Sequence, residues 1–276
     1  MSLLAAVQMT SGHKVEENLR AAGALLREAR ERGAALACLP ENFAFMGLKD
    51  ADKLAIAELD DEGPTQEFLE RTARELGLWI LAGTIALQDG AGRVRNSSLL
   101  IDAQGRRVAR YDKIHLFDVL IPGRQEQYRE SANVSPGREV VVADTPVGRL
   151  GLSVCYDVRF PELYRELVQR GAQWLAIPSA FTVPTGQAHW EVLMRARAIE
   201  NLCFVAAPAQ VGTHSSGRET YGDTMIVDYW GQVLTRLPKG SGVITAELDL
   251  EKQAEARQRF PALEHRRLPL AAAVTS

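Results

Sequence analysis

Four side chains suited to acyl-transfer chemistry stand at turns or strand ends of this 276-residue chain. They are Glu41 in Cys38-Leu39-Pro40-Glu41-Asn42, Lys113 in Tyr111-Asp112-Lys113-Ile114-His115-Leu116, Glu130 in the segment after Phe117, and Cys155 in Gly148–Glu162. A thiol with an ordinary pKa near ~8.5 is mostly protonated at neutral pH, so it needs a neighbouring base or cation to act as a nucleophile. Glu41 offers the base and Lys113 the cation. Attack by Cys155 on an amide carbonyl creates an oxyanion, which the Lys113 ammonium and the backbone N–H of Tyr156 can hold. Loss of one such donor typically costs roughly 2.7–4 kcal/mol. One carboxyl can serve both halves of the reaction: it takes the thiol proton, passes it to the leaving amine, and later deprotonates a water. Taken singly, Cys155 also fits a small buried hydrophobe, Glu41 a solvated turn residue and Lys113 a surface charge.

The elements that must position these groups follow from patterning. Leu3–Met9 reads as a buried strand, and an amphipathic helix runs through Val15, Leu19, Ala22, Leu26 and Ala29 to Gly33. Ala34–Leu39 is a strand stopped by Pro40. A helix starts at Pro64 and ends at Gly77, and strand Leu78–Gly83 follows. Strands with tight turns fill Ile85–Tyr111, whereas Phe117–Pro136 shows no periodicity and reads as a long loop bordering the site. A hairpin at Pro146-Val147-Gly148 leads into a strand ending just before Cys155, with Pro161 opening a helix to about Arg170. The cysteine thus stands at a strand-to-helix corner, where backbone N–H groups remain unpaired. Strand Trp174–Ile177 ends at Pro178, His189–Asn201 is helical, Phe204–Pro208 is a strand, and three more strands cover Met225–Glu247. A last helix over about Leu250–Arg259 precedes an irregular tail, 261–276. Strand–helix units around a meander, with no linker or composition shift, predict an α/β fold: a four-layer αββα sandwich of two mixed sheets in one domain, 1–276.

Composition narrows the partners. The formal net charge is −3, which gives no basic footprint for nucleic acid or an anionic membrane, and no apolar run is long enough to span a bilayer. The N-terminus has no basic region ahead of its apolar stretch, so a cytoplasmic location is expected. Cys38, Cys155 and Cys203 form no paired spacing, and Cys38 and Cys203 sit in apolar runs as inert core residues. No H-x-x-x-H or paired-cysteine spacing favours a metal, and no glycine-rich phosphate motif is present. No cofactor is expected. His115 and His189 raise a Cys–His protease as an alternative, but Cys155 lacks a local signature of one; His13, His214 and His265 read as loop residues.

Leu39-Pro40-Glu41, Tyr111–Leu116 and Ser153-Val154-Cys155-Tyr156-Asp157-Val158-Arg159-Phe160-Pro161-Glu162, in this order and at these separations, resemble the nitrilase, or carbon–nitrogen hydrolase, superfamily. The resemblance runs from Leu3 to about Leu268. It implies the αββα sandwich, a catalytic set of Glu41, Lys113 and Cys155 without metal, Glu130 as a second glutamate beside the lysine, and a homodimer or higher homo-oligomer. Ser179-Ala180-Phe181, Ala188-His189-Trp190-Glu191, Arg195–Glu200 and Glu264-His265-Arg266-Arg267 are similar to the deaminated glutathione amidase branch. That branch implies a small-molecule amide substrate cleaved to 2-oxoglutarate and cysteinylglycine. The neighbouring ω-amidase branch, acting on 2-oxoglutaramate, is the alternative, and an idle dimeric binding module is the alternative from another class. A 2-oxoglutaryl group ends in a carboxylate, for which Arg159 is expected to provide bidentate recognition. Phe181, Thr182 and Thr185, in the loop after Pro178, are expected to complete the keto-acid site. Arg195 and Arg197 are expected to be structural, and Asp157 to cap the helix after the nucleophile.

Overall fold

A computed structural model describes residues 3–120 and 127–268. The centre of the expected long loop and the last eight residues of the expected tail lie outside the described residues.

The first sheet joins β1 (Leu3–Gln8), β2 (Ala34–Cys38), β3 (Trp79–Leu81), β4 (Ile85–Gln88), β5 (Val94–Ile101), β6 (Arg107–Asp112) and β17 (Gly242–Glu247). Its centre, β1–β2–β3, is parallel, and its flanks are antiparallel. The second sheet joins β9 (Val142–Thr145), β10 (Gly148–Leu152), β11 (Trp174–Ala176), β12 (Phe204–Ala207), β15 (Thr224–Val227) and β16 (Val233–Leu237), again around a parallel trio, β10–β11–β12. Successive strand residues point to opposite faces, and both faces here are covered, which is why the central strands are apolar throughout. Leu4, Ala6, Leu36 and Cys38 pack into the core between the sheets. Their neighbours Ala5, Val7, Ala37 and Leu39 pack under helices α1 (Val15–Glu31) and α2 (Pro64–Leu76). On the far side, α3 (Pro161–Gln169) and α4 (Val183–Asn201) contribute Leu163, Leu167, Trp190, Met194 and Ala198 to the core of the second sheet. The layer order is therefore αββα, as expected. A short α5 (Leu250–Arg259) follows β17.

Three segments differ from the sequence expectation. The stretch after Phe117 is not structureless: β7 (Asp118–Leu120) pairs with β8 (Gln127–Arg129), and one 3₁₀ turn, Glu130–Ala132, follows. A hairpin of β13 (Val211–Thr213) and β14 (Glu219–Tyr221) was hidden by its short strands and polar turn. Helix α4 begins at Val183, six residues before His189, because Pro184 fits the first helical turn. The Thr185-Gly186-Gln187 sequence looks like loop, but Gly186 has a packing reason: a Cβ there would meet the Tyr221 ring at 2.1–2.6 Å.

Candidate active site

The parallel trios place the site. In open α/β sheets, ligands gather beyond the carboxyl ends of parallel strands, and here Glu41 follows β2, Cys155 follows β10, and Ser179–Thr182 follow β11. Pro40 has no N–H to continue the ladder, so β2 stops and the chain turns. The turn carrying Glu41 is held from three sides. Gln210 Nε2 donates to the Glu41 carbonyl at 3.1 Å, and Asn42 N–H donates to Thr84 Oγ1 at 2.8 Å. Gly83, at φ +53°, passes so close that a Cβ would lie 2.0 Å from the Pro40 carbonyl oxygen. Lys113 leaves the end of β6 with its N–H on the Asn96 carbonyl at 3.0 Å and its own carbonyl accepting from Gly137 at 2.8 Å.

Cys155 occupies the sharp corner the sequence predicts. Its φ is +49°, in the left-handed region that a non-glycine residue enters rarely and at a cost of roughly 1–3 kcal/mol. Residues Cys155–Arg159 wind one 3₁₀ turn before Pro161 opens α3. The Cys155 N–H donates to the Pro178 carbonyl at 2.9 Å. The Tyr156 N–H has no hydrogen-bond partner among the described residues. It is thus available as an oxyanion donor. Asp157 corrects an expectation: it caps the turn bearing the nucleophile and not helix α3, whose N-terminus begins at Phe160 with no side-chain cap. Fully buried, its carboxylate accepts from Val154 N–H (2.8 Å), Tyr111 Oη (2.7 Å), His115 N–H (3.0 Å) and His115 Nδ1 (2.8 Å). Tyr111 and His115 bracket Lys113 in sequence. Asp157 therefore ties the nucleophile's turn to the strand end that carries the lysine.

The four expected chemical groups converge. Lys113 Nζ lies 2.8 Å from Glu41 Oε1 and 3.0 Å from Glu130 Oε2, with Lys113 and Glu41 only 2% and 4% exposed. Burial works against the Lys113 charge, but Glu130 and Glu41 outweigh it and raise the ammonium well above its ordinary range. Glu130 is held below the ordinary carboxylate range: burial opposes ionisation, yet Lys113, Lys53 and the Phe117 N–H prevail. Asn96 Nδ2 donates to its other oxygen. The Cys155 sulfur lies in hydrogen-bonding reach of the Glu41 carboxylate and the Ala180 N–H. Burial, then Glu41, push this thiol up, against the pull of Lys113. The arrangement thus favours the thiol form, beside the carboxylate expected to act as its base.

A cleft of about 640 Å³, including its open mouth, lies over this cluster. Arg159, Phe181, Thr182 and Thr185 all line it. The Arg159 guanidinium packs over Tyr156 (5.8 Å) and Phe181 (5.5 Å) and reaches His189 Nδ1 at 3.2 Å. Thr182 and Thr185 are not loop residues: Thr182 is the N-cap of α4, Thr185 lies in its first turn, and their hydroxyls bond each other at 2.8 Å. His115 stacks on Phe160 and serves Asp157, not Cys155, and His189 serves Arg159, so neither forms the Cys–His pair of the protease alternative. His214 lies in the β13–β14 connection, as expected of a loop residue, but is buried between the Ser11 carbonyl and Thr220 Oγ1. Arg197 donates to the Val158 carbonyl and pairs with Glu200, and Arg195 donates to the Gly231 carbonyl; both are structural. Sequence reasoning missed Asn96, Asp157 in its bridging role, Ala180, Lys53 and Arg218. The last two also line the cleft. Among the described residues no cluster of His, Cys, Asp or Glu could hold a metal ion, and no helix is long and apolar enough to cross a membrane.

The carbon–nitrogen hydrolase family profile matches residues 3–258. The chain belongs to that family. It is 44% identical over 273 residues to a deaminated glutathione amidase of Synechocystis sp., covering 96% of this chain and 97% of the relative. To the deaminated glutathione amidase of Yersinia enterocolitica it is 41% identical over 266 residues, with 96% and 92% covered. Its fold superposes on the crystal structure of the C. elegans NitFhit protein with a TM-score of 0.90 at 40% identity; the match covers 98% of this chain and 66% of that protein. The chain is accordingly an amidase, a hydrolase of non-peptide carbon–nitrogen bonds.

Proposed function

We propose that this amidase cleaves deaminated glutathione to 2-oxoglutarate and cysteinylglycine through a thioester on Cys155. As the amide carbonyl is attacked, the Cys155 proton moves to Glu41 and the S–C bond forms. The Lys113 ammonium and the Tyr156 N–H hold the oxyanion. Glu41 then gives its proton to the leaving nitrogen as the C–N bond breaks. In the second half Glu41 takes a proton from water, the hydroxide adds to the thioester carbonyl, and the thiolate leaves and recovers the proton. Glu130 keeps Lys113 charged and aimed. The observation that carries this reading is the convergence at Lys113 of Glu41 and Glu130, with the Cys155 sulfur against Glu41. Arg159 takes the 2-oxo-acid carboxylate of the acyl half, supported by its place on the cleft wall beside Phe181, Thr182 and Thr185.

The substrate rests on the relatives' activity and on the size of the cleft, which opens into a second groove. Measuring kcat/KM for 2-oxoglutarate release from deaminated glutathione and from 2-oxoglutaramate tests it, since specificity is the ratio of those values. A preference for the dipeptide amide supports the reading, and a preference for the primary amide moves the enzyme to ω-amidase chemistry. We further propose a single carbon–nitrogen hydrolase domain working in the cytoplasm as a homodimer. An apolar strip supports the dimer: Ile199 and Val192 on one face of α4, beside Trp230 edge-on to Phe260 at 5.6 Å, all exposed. Patches of this kind commonly mark protein interfaces.

A further inference from the structure

We propose that Lys53 and Arg218 form a second carboxylate site, which takes the C-terminal carboxylate of the leaving dipeptide and selects for it over ammonia. This rests on the substrate reading above. The inner cleft continues into an outer groove of about 1290 Å³, including open solvent, and the two share Asn42, Asp50, Lys53, Tyr128, Thr182 and Arg218. Arg159 lines the inner cleft but not the groove. With the acyl half on the Arg159 side of Cys155, the leaving half lies toward the passage where Lys53 and Arg218 stand.

Neither cation has a carboxylate in direct contact, although the Lys53 charge acts on Glu130 from a distance. Neither makes an ion pair among the described residues, and the half-buried Lys53 side chain makes no hydrogen bond there either. Arg218 sits at the turn end of the β13–β14 hairpin, with its guanidinium 5.1 Å over the Tyr128 ring and Nη2 on the Ala180 carbonyl at 3.3 Å. Its Nε is buried without a hydrogen-bond partner among the described residues. A buried donor left unmatched is unfavourable, and a carboxylate satisfies a guanidinium edge bidentately. Cations stand at both ends of the cleft, Arg159 on the acyl side and Lys53 and Arg218 at the passage to the groove; with Lys113 they face the carboxylates of Glu41, Asp50 and Glu130, a net of one positive charge. Deaminated glutathione has two carboxylates, one at each end, whereas 2-oxoglutaramate has one.

The test compares kcat/KM of wild type, Arg218→Gln and Lys53→Met on deaminated glutathione, on its C-terminal glycinamide, and on 2-oxoglutaramate. In the wild type, converting the carboxylate to the amide should lower kcat/KM roughly ten- to a hundred-fold, the usual range for a charge-assisted hydrogen bond. In Arg218→Gln the acid and the amide should be cleaved within about threefold of each other, since the pair no longer couples. The ratio of deaminated glutathione to 2-oxoglutaramate turnover should fall by the factor lost on the acid. Lys53→Met should move both ratios in the same direction. Equal wild-type rates on acid and amide, with brisk turnover of both, overturn this site alone and need no variant. A proportionate loss on all three substrates in both variants does the same. A wild type silent on deaminated glutathione and active on 2-oxoglutaramate overturns the substrate reading and this site together.

Discussion

Asp157→Asn is the sharpest test of how the site is held together. Each oxygen of this fully buried carboxylate serves one backbone N–H that cannot change role: Oδ2 that of Val154, Oδ1 that of His115. Whichever way the new amide is turned, its NH₂ faces a backbone N–H and one charge-assisted bond is lost. An unsatisfied buried donor costs about 1–3 kcal/mol, and the lost charge adds to it, so the net destabilisation should be roughly 3 kcal/mol. For a protein of this size that is a fall in Tm of about 6–12 °C. The turnover effect is separate. The same carboxylate joins the Cys155 turn to Tyr111 and His115 on either side of Lys113. Displacement of catalytic groups by an ångström can cost about a hundredfold, so kcat should fall by that order while KM changes far less, because Asp157 lies outside the cleft wall. Thermal melting and steady-state kinetics on one preparation read both. A Tm within about 2 °C of wild type, or a loss confined to KM, would mean that Asp157 does not hold the site together in this way.

Other outcomes follow from the same geometry. With its thiol held above the ordinary range by burial and Glu41, Cys155 should react with iodoacetamide at a rate climbing about tenfold per pH unit from pH 7 to 9. A plateau near neutrality would instead indicate a preformed thiolate. Glu130→Gln leaves Lys113 with Glu41 as its one remaining carboxylate partner among the described residues; single-turnover measurements should find acylation slowed roughly ten- to a hundred-fold. Accumulation of acyl-enzyme would place Glu130 on the hydrolytic water instead. Gly186→Ala drives a methyl group into the Tyr221 ring and should lower stability by at least about 1–3 kcal/mol in a denaturant titration; an unchanged midpoint would contradict the packing.

Much of this is legible in the sequence. Pro40 and Pro178 mark strand ends because proline cannot continue a ladder, and the residues just past such ends are where an α/β sheet gathers its site. The Pro64–Leu76 and Leu250–Arg259 helices carry their own start signals and fall where expected. What stayed hidden depends on contacts between distant segments. The bridging role of Asp157 exists because Tyr111 and His115 arrive from 46 and 42 residues away. Glu130 is uninformative in sequence and is fixed by Asn96, Lys113 and the Phe117 N–H. The positive φ of Cys155 leaves no trace in residue type, since glycine is the usual marker of that conformation. Arg218 lay in an unrecognised hairpin, and α4 was shortened because a Thr-Gly-Gln sequence reads as loop until the Tyr221 ring is placed against it.

The central claim is that Cys155, with Glu41 and Lys113, hydrolyses an amide of 2-oxoglutarate. The most direct measurement is 2-oxoglutarate release from deaminated glutathione by wild type and by Cys155→Ala, with melting curves confirming that both are folded. Steady turnover is expected of the wild type and none above background of the variant. A folded Cys155→Ala protein releasing 2-oxoglutarate at the wild-type rate would contradict that claim.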